Sequence, residues 1–398
     1  MAGKSDKKPR FECSAPHSVL TVINNRGPTK GGLSKPVGEP IIRAGNVDGV
    51  TRIDRYAAVS SALTLLGDQQ VARLLDTVTP IDSSGVGGAA GMLTVAGERV
   101  FVKRVPLTEL ERRPEHRHST ANMFGLPPWC QYGVLTPGFG AWRELAAHVM
   151  TTNWVLSGAC GNFPMLYHWR VVDTPPPVRE DFGDIDAFLE YLHHGDGVRE
   201  RVEALVAAEA SVVLFMEYFP HVLSEWLPDR LAAGDVEVPC AMVERDLLAV
   251  TEFMERRGLF HFDTHFGNIL TDGERLYLGD LGLAVSTDFD LSPAEREFLD
   301  HNAGHDRCYA VAHLSNMLVR VLGNVPGGPL DRYAYLADFP DDAPFPAAAA
   351  DIIRRYRPVT VHFNTFFAAL HGTSRQTPYP RVALSDSANV VFGSVTQS

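Results

Sequence analysis

The stretch from Phe260 to Leu283 constrains this chain more than any other. It holds Asp263, Asn268 and Asp280. An aspartate and an asparagine five residues apart on a loop can face one volume from opposite sides. The run Arg275 to Leu278 reads as a strand, and Asp272-Gly273 is the residue pair that turns a hairpin, so Asp280 is carried back to the same volume. One carboxylate to take a hydroxyl proton, then an amide and a second carboxylate to hold Mg²⁺, is the set that phosphoryl transfer uses. A second reading competes. His261, Asp263 and His265 at alternate positions of a strand would make a zinc cluster, since imidazole and carboxylate are good zinc ligands. It leaves Asn268 and Asp280-Leu281-Gly282 without a task.

Upstream, Asp82 to Gly91 is glycine-rich, with Gly85, Gly87, Gly88 and Gly91. Such a hairpin lets backbone amides come close to phosphate groups without side-chain obstruction. The next strand, Arg99 to Lys103, sets Lys103 among alternating apolar residues. A helix begins at Ala141 and carries Glu144. Val212 to Phe219 is an apolar strand that opens into a polar segment. The helix from Ala241 to Arg257, with Gly258 as its cap, leads into the loop of Asp263.

Taken together these segments resemble the protein-kinase-like superfamily, over about residues 81–322. His261-Phe262-Asp263 stands for the family's H-R-D, Asn268 for the loop asparagine, Asp280-Leu281-Gly282 for D-F-G and Val100 to Lys103 for V-A-I-K. The resemblance implies an α+β, bilobal fold, with a small antiparallel sheet in the first lobe and a mainly helical second lobe. It implies ATP and Mg²⁺ as cofactors. Lys103 would grip the nucleotide's phosphates and pair with Glu144, and main-chain groups of Glu217 and Tyr218 would meet adenine. Asn268 and Asp280 would bind the metal, and Asp263 would orient the acceptor hydroxyl. Asp306 would anchor the loop's backbone. Three departures shape the expectation. The glycine motif is one residue longer than the family's, Phe262 replaces the arginine that would meet an activation-segment phosphate, and His265 gives D-x-H-x-x-N, a pattern associated with aminoglycoside and choline phosphotransferases and atypical kinases.

The implied function is transfer of the γ-phosphate to a Ser/Thr hydroxyl of a protein or precursor peptide. One variant works beside a partner lyase, as in some lanthipeptide-type and thioamitide pathways. The alternatives are phosphorylation of a small-molecule antibiotic or metabolite, and a nucleotide-binding pseudokinase scaffold without turnover. Residues 1–80 read as an arm with an accessory helix from Ile53 to Leu75, residues 81–219 as the first lobe and 220–398 as the second. Arg26 to Gly32 does not match a phosphate-loop pattern. The insertion at 106–140, with His116, His118, Trp129 and Cys130, reads as an ordered substrate or lid loop, and the acidic one at 173–210 as a solvated surface with two short helices. Ala347 to Tyr356 and Val361 to Leu370 read as packing helices, and Ser385 to Ser398 as a polar tail.

Composition limits the partners. A formal net charge of −12 argues against general binding to nucleic acid or a membrane surface. Five cysteines without a C-x-x-C pair suit a reducing cytoplasm. No apolar run is long enough to cross a bilayer, and the basic first ten residues lack the apolar core of a signal peptide.

Overall fold

The computed structural model describes residues 51–81, 89–133, 136–176, 185–191, 196–323, 325 and 328–393. Helix α1 (Arg52–Thr64) starts at a reciprocal cap between Thr51 and Asp54, and α2 (Asp68–Leu75) follows. The apolar spacing from Ile53 to Leu75 reads as one helix. The structure divides it, because Gly67 takes an extended ψ of 163° as the N-cap of α2.

Strands β1 (Thr79–Pro80), β2 (Ala89–Val95) and β3 (Glu98–Leu107) come next. Ala96 and Gly97 turn the β2–β3 hairpin with φ of 52° and 83°, the left-handed pair that matches strand twist. Short helix α3 (Glu109–Arg112), α4 (Ala141–Leu156), β4 (Leu166–Val172), α5 (Ile185–Tyr191), α6 (Asp196–Val206) and β5 (Ala210–Glu217) complete this part. The sheet is antiparallel, in the order β1-β2-β3-β5-β4. Every residue of β5, interior between β3 and β4, is buried, which explains its uninterrupted apolar run. Trp142 and Leu145 of α4 pack on Val105, Leu107, Leu166, Val212 and Leu214 of the sheet. Each such side chain removed from water contributes about 1.5–3 kcal/mol, which fixes α4 against β3.

The rest is mainly helical. It runs through β6 (His221–Val222), α7 (Leu223–Ala232), α8 (Glu237–Arg256), β7 (Leu259–Phe260), β8 (Ile269–Thr271), β9 (Leu276–Leu278) and β10 (Val285–Ser286). Helices α9 (Pro293–His301), α10 (His305–Leu322), α11 (Pro329–Ala337), α12 (Ala347–Gly372) and α13 (Arg381–Phe392) follow. Helix α8 ends where Gly258 takes a φ of 66°. The two helices expected between Ala347 and Leu370 are one, with Pro358 inside it. The packing of Ile353, Tyr356, Val359 and Phe363 along one buried stripe holds it together across the missing N–H. The expected tail from Ser385 is helical to Phe392, because Leu384 and Ser387 are buried and Arg307 lies 4.8 Å over the Phe392 ring. The described residues are thus α+β, an antiparallel sheet with α1 packed on one face and α4 on the other, joined to a helical body. None of their helices is long and apolar enough to cross a membrane.

Candidate active site

Residues far apart in sequence meet along one cleft. Lys103, on β3, lies 2.8 Å from Glu144 Oε1 and 2.7 Å from Asp280 Oδ1. Burial alone would lower the Lys103 pKa, but the Asp280 and Glu144 carboxylates outweigh it and raise it. The ammonium therefore stays charged. Burial likewise works to raise the Asp280 carboxyl, and Lys103 and the Gly282 N–H overcome it and bring it down to about 2. Glu144 is the opposite case: burial raises it, and Lys103 only partly compensates. His148, one turn along α4, is buried with both ring nitrogens unpartnered, and burial drives its pKa down to about 3, so it is neutral.

Local backbone geometry aims these groups. Asp280 has a φ of 47° and Phe262 a φ of 61°. For a buried phenylalanine this conformation is strained, and it persists because its surroundings over-determine it. Asp306, at the start of α10, accepts the His261 N–H at 2.7 Å and the Phe262 N–H at 2.8 Å. The Phe262 ring sits among Tyr132, Phe298 and His305. His261 Nε2 meets the Gly279 carbonyl at 2.8 Å, and the Asp263 N–H reaches its Nδ1 at 3.3 Å. Both ring nitrogens are engaged, so His261 is not available to the zinc cluster weighed above. Among the described residues no group of three or more His, Cys, Asp or Glu is arranged to hold a metal.

Asn268 Nδ2 donates to the Asp263 carbonyl at 3.0 Å and to Asp263 Oδ2 at 2.9 Å. Both neighbours are acceptors, so the nitrogen must lie between them and Oδ1 is left outward. Asp280 Oδ1 takes Lys103 and the Gly282 N–H, and Oδ2 has no described protein partner. One amide oxygen and one carboxylate oxygen fit a hard cation such as Mg²⁺, which keeps several water or phosphate ligands. The Gly267 N–H donates to His265 Nδ1 at 3.0 Å, which leaves the proton of a neutral ring on Nε2, 3.6 Å from Asp263 Oδ1.

The cleft beside these groups has a volume of about 900 Å³. Ala90, Met92, Phe101 and Lys103 line it from one face of β2–β3, and Leu270 from the helical side. Apolar surfaces on both sides with polar groups at one end suit a flat heterocycle carrying phosphates.

No family model matches this chain, and no curated protein matches it.

The expected site residues divide into three sets. Lys103, Asn268 and Asp280 line the cleft's polar end, with Glu144 paired to Lys103 and Asp263 to Asn268. Gly85, Gly87 and Gly88 lie outside the described residues. Gly91 departs from expectation, while Glu217 and Tyr218 line the cleft. Gly91 faces away from the cleft, and a Cβ there would stand 2.8 Å from the Thr79 carbonyl oxygen, so this glycine serves the close β1–β2 contact. The Glu217 N–H is donated to the Met165 carbonyl at 2.9 Å, and its carboxylate is gripped by Arg52 at 2.6 and 2.8 Å, which leaves only its carbonyl for a ligand. Tyr218 stays on the rim, with Arg99 4.3 Å over its ring.

Sequence reasoning missed the supports. Arg52, from the helix read as accessory, fixes the end of β5. Arg143 of α4 pairs with Glu295 of α9 at 2.8 Å, both buried. The inserted segment 113–140 is pinned at its far end: Tyr132 donates to Asn302 Oδ1 at 2.9 Å, and Gln131 Nε2 to the Leu283 carbonyl. Glu111 accepts the Ala141 N–H at the start of α4 and pairs with Arg201 at 2.8 Å. Gly133 lies against the Asp263 loop, and a Cβ there would stand 3.4 Å from Asp263 Oδ1. The β3–α4 insertion therefore walls the side on which Asp263 opens.

Proposed function

We propose that this chain is an ATP- and Mg²⁺-dependent phosphotransferase of bilobal, protein-kinase-like architecture, acting on a Ser/Thr hydroxyl of a protein or precursor peptide. The observation that carries the reading is the double ion pair of Lys103 with Glu144 and Asp280, beside an Asp263 that Asn268 holds in place. A structural salt bridge would not require a strand lysine, a helix glutamate and a strained aspartate to converge on an open cleft.

Each residue has a task. Lys103 holds phosphate oxygens and is itself oriented by Glu144. Asn268 and Asp280 are the residues that would hold the metal. Bound Mg²⁺ and ATP supply the phosphoryl group and the cation that neutralises its charge. Asp263 accepts the hydroxyl proton as the acceptor oxygen attacks, and His265 Nε2–H stands beside its other oxygen. Positioning and charge neutralisation provide most of the acceleration.

Two features support activity without phosphorylation of the chain itself. Phe262 is enclosed in an aromatic cage, and Arg143–Glu295 ties α4 to the segment after Asp280. Small-molecule phosphorylation is the second reading, favoured by the wall that residues 131–133 place near Asp263.

The test is incubation with ATP and Mg²⁺ and a Ser/Thr peptide library, followed by mass spectrometry. A gain of one phosphate that Asp263→Asn abolishes is expected. ATP with Mg²⁺ should also raise the melting temperature. Transfer to aminoglycosides or choline but to no peptide would support the second reading. Nucleotide-dependent stabilisation with no transfer to any acceptor would leave the scaffold reading.

A further inference from the structure

A second cavity, of about 620 Å³, lies away from the cleft along β4. His168, Trp169, Arg170 and Val171 all border it. Successive residues of a strand point to opposite faces, so a cavity touched by four in a row reaches the strand's edge, while Leu107 of β3 and Trp142 set its floor on the α4 side of the sheet. The side chains agree: Trp169 meets Trp142 on the α4 side, and His168 lies near Phe215 on the other. β4 is the outermost strand of the sheet, and no described strand pairs with its far edge. Its unpaired main-chain groups are a template for another extended chain.

The groove's opposite wall is cationic. Arg112 and Arg117 border it, and His118, with a φ of 62°, is held between Trp142 at 4.7 Å and Trp169 at 5.4 Å. Asp173 is its one carboxylate, and Arg112 already occupies it at 2.8 Å. Arg117 has no carboxylate within ion-pair distance among the described residues, and Arg170 donates to the Leu66 carbonyl at 3.3 Å. In a chain of net charge −12 this is a local reversal of sign.

We propose that the groove docks an extended acidic peptide segment, which adds to the free edge of β4, sets a carboxylate on Arg117, and lays an apolar side chain on Trp169. The free strand edge calls for a polypeptide, and the unpaired Arg117 guanidinium calls for an acidic one. The inference stands on the groove alone, whether or not the cleft transfers phosphate.

The experiment uses the full chain and a short fluorescein-labelled peptide alternating glutamate with valine and phenylalanine. Saturable fluorescence anisotropy is expected, weakening with salt and unaffected by ATP. Arg117→Glu should weaken binding by about tenfold or more, and Arg117→Lys should largely retain it. Arg117 is exposed, so both variants should melt as the parent does. Hydrogen exchange on the unaltered chain should show the peptide slowing the amides of 168–171, and a backbone-methylated peptide should not bind. The proposal is overturned if the lysine-for-glutamate peptide binds equally, if Arg117→Glu changes nothing, if protection falls on the cleft, or if inorganic phosphate or free glutamate competes at similar concentration.

Discussion

The two charged groups at the cleft's polar end are built on opposite principles. Lys103 and Glu144 are nearly sealed from water, at 6% and 3% exposure, and their charges are met by each other and by Asp280. Asp263 and His265 keep about a quarter of their side chains open and touch each other only at 3.6 Å. Charges removed from water are costly unless fully paired, so the first group must be complete before a ligand arrives. The second has a free side, which under the proposed function is where an acceptor arrives. A preorganised grip and an accessible base are what positioning catalysis requires of these two places.

The comparison predicts different failures. Lys103→Met leaves Glu144 and Asp280 facing each other uncompensated, and should cost about 3–5 kcal/mol in urea unfolding as well as abolishing transfer. Asp263→Asn should leave the urea midpoint nearly unchanged and lower turnover by about 10²- to 10⁴-fold, with ATP-dependent thermal stabilisation intact. If the two variants lost stability equally, the distinction between sealed and open groups would fail.

Arg52→Gln sharpens the comparison at the cleft's rim. Arg52 grips Glu217 by two bonds and also donates to the carbonyls of Gly161 and Phe163. Without the guanidinium, Glu217 is a buried carboxylate with only the Met165 N–H as partner. The expected loss is about 1.5–3 kcal/mol, with a raised KM for ATP and an unchanged kcat. An altered kcat would place Arg52 in control of the reacting groups rather than the rim.

Sequence made both groups legible, but not what supports them. The spacing of Asp263, Asn268 and Asp280 is local and repeats a pattern with a chemical reason, and the alternation around Lys103 marks a strand whichever partner it meets. Glu144 needed only the next helix. Arg52 is separated from Glu217 by 165 positions, and Arg143 from Glu295 by 152, and no periodicity announces such pairs. The same limit explains Gly91, whose purpose depends on β1 crossing beside it, and α12, where long-range packing overrides Pro358. Tyr132 was hidden for another reason: the insertion that bears it has no regular pattern, and only its burial among rings shows that it latches to Asn302.

His305 extends the contrast to a sealed group that carries no charge. It lies beside the Asp263 loop among the rings of Tyr132, Phe262, Tyr309, Phe363 and Tyr379, with Asp306 next in sequence and both of its ring nitrogens unpartnered. Burial lowers its pKa from 6.5 to about 3. Because the folded value is depressed, the unfolded chain binds the extra proton first, and stability that is full above pH 6.5 falls as pH drops towards 3. One such group changes stability by about 1.4 kcal/mol per pH unit within that window, or about 2 kcal/mol at pH 5. His305→Phe fills the same cage without a titrating group. Urea unfolding from pH 7 to pH 4.5 should therefore show a shallower loss for the variant by that amount at pH 5, and parallel curves would mean that His305 is already charged, or already hydrated, in the folded chain.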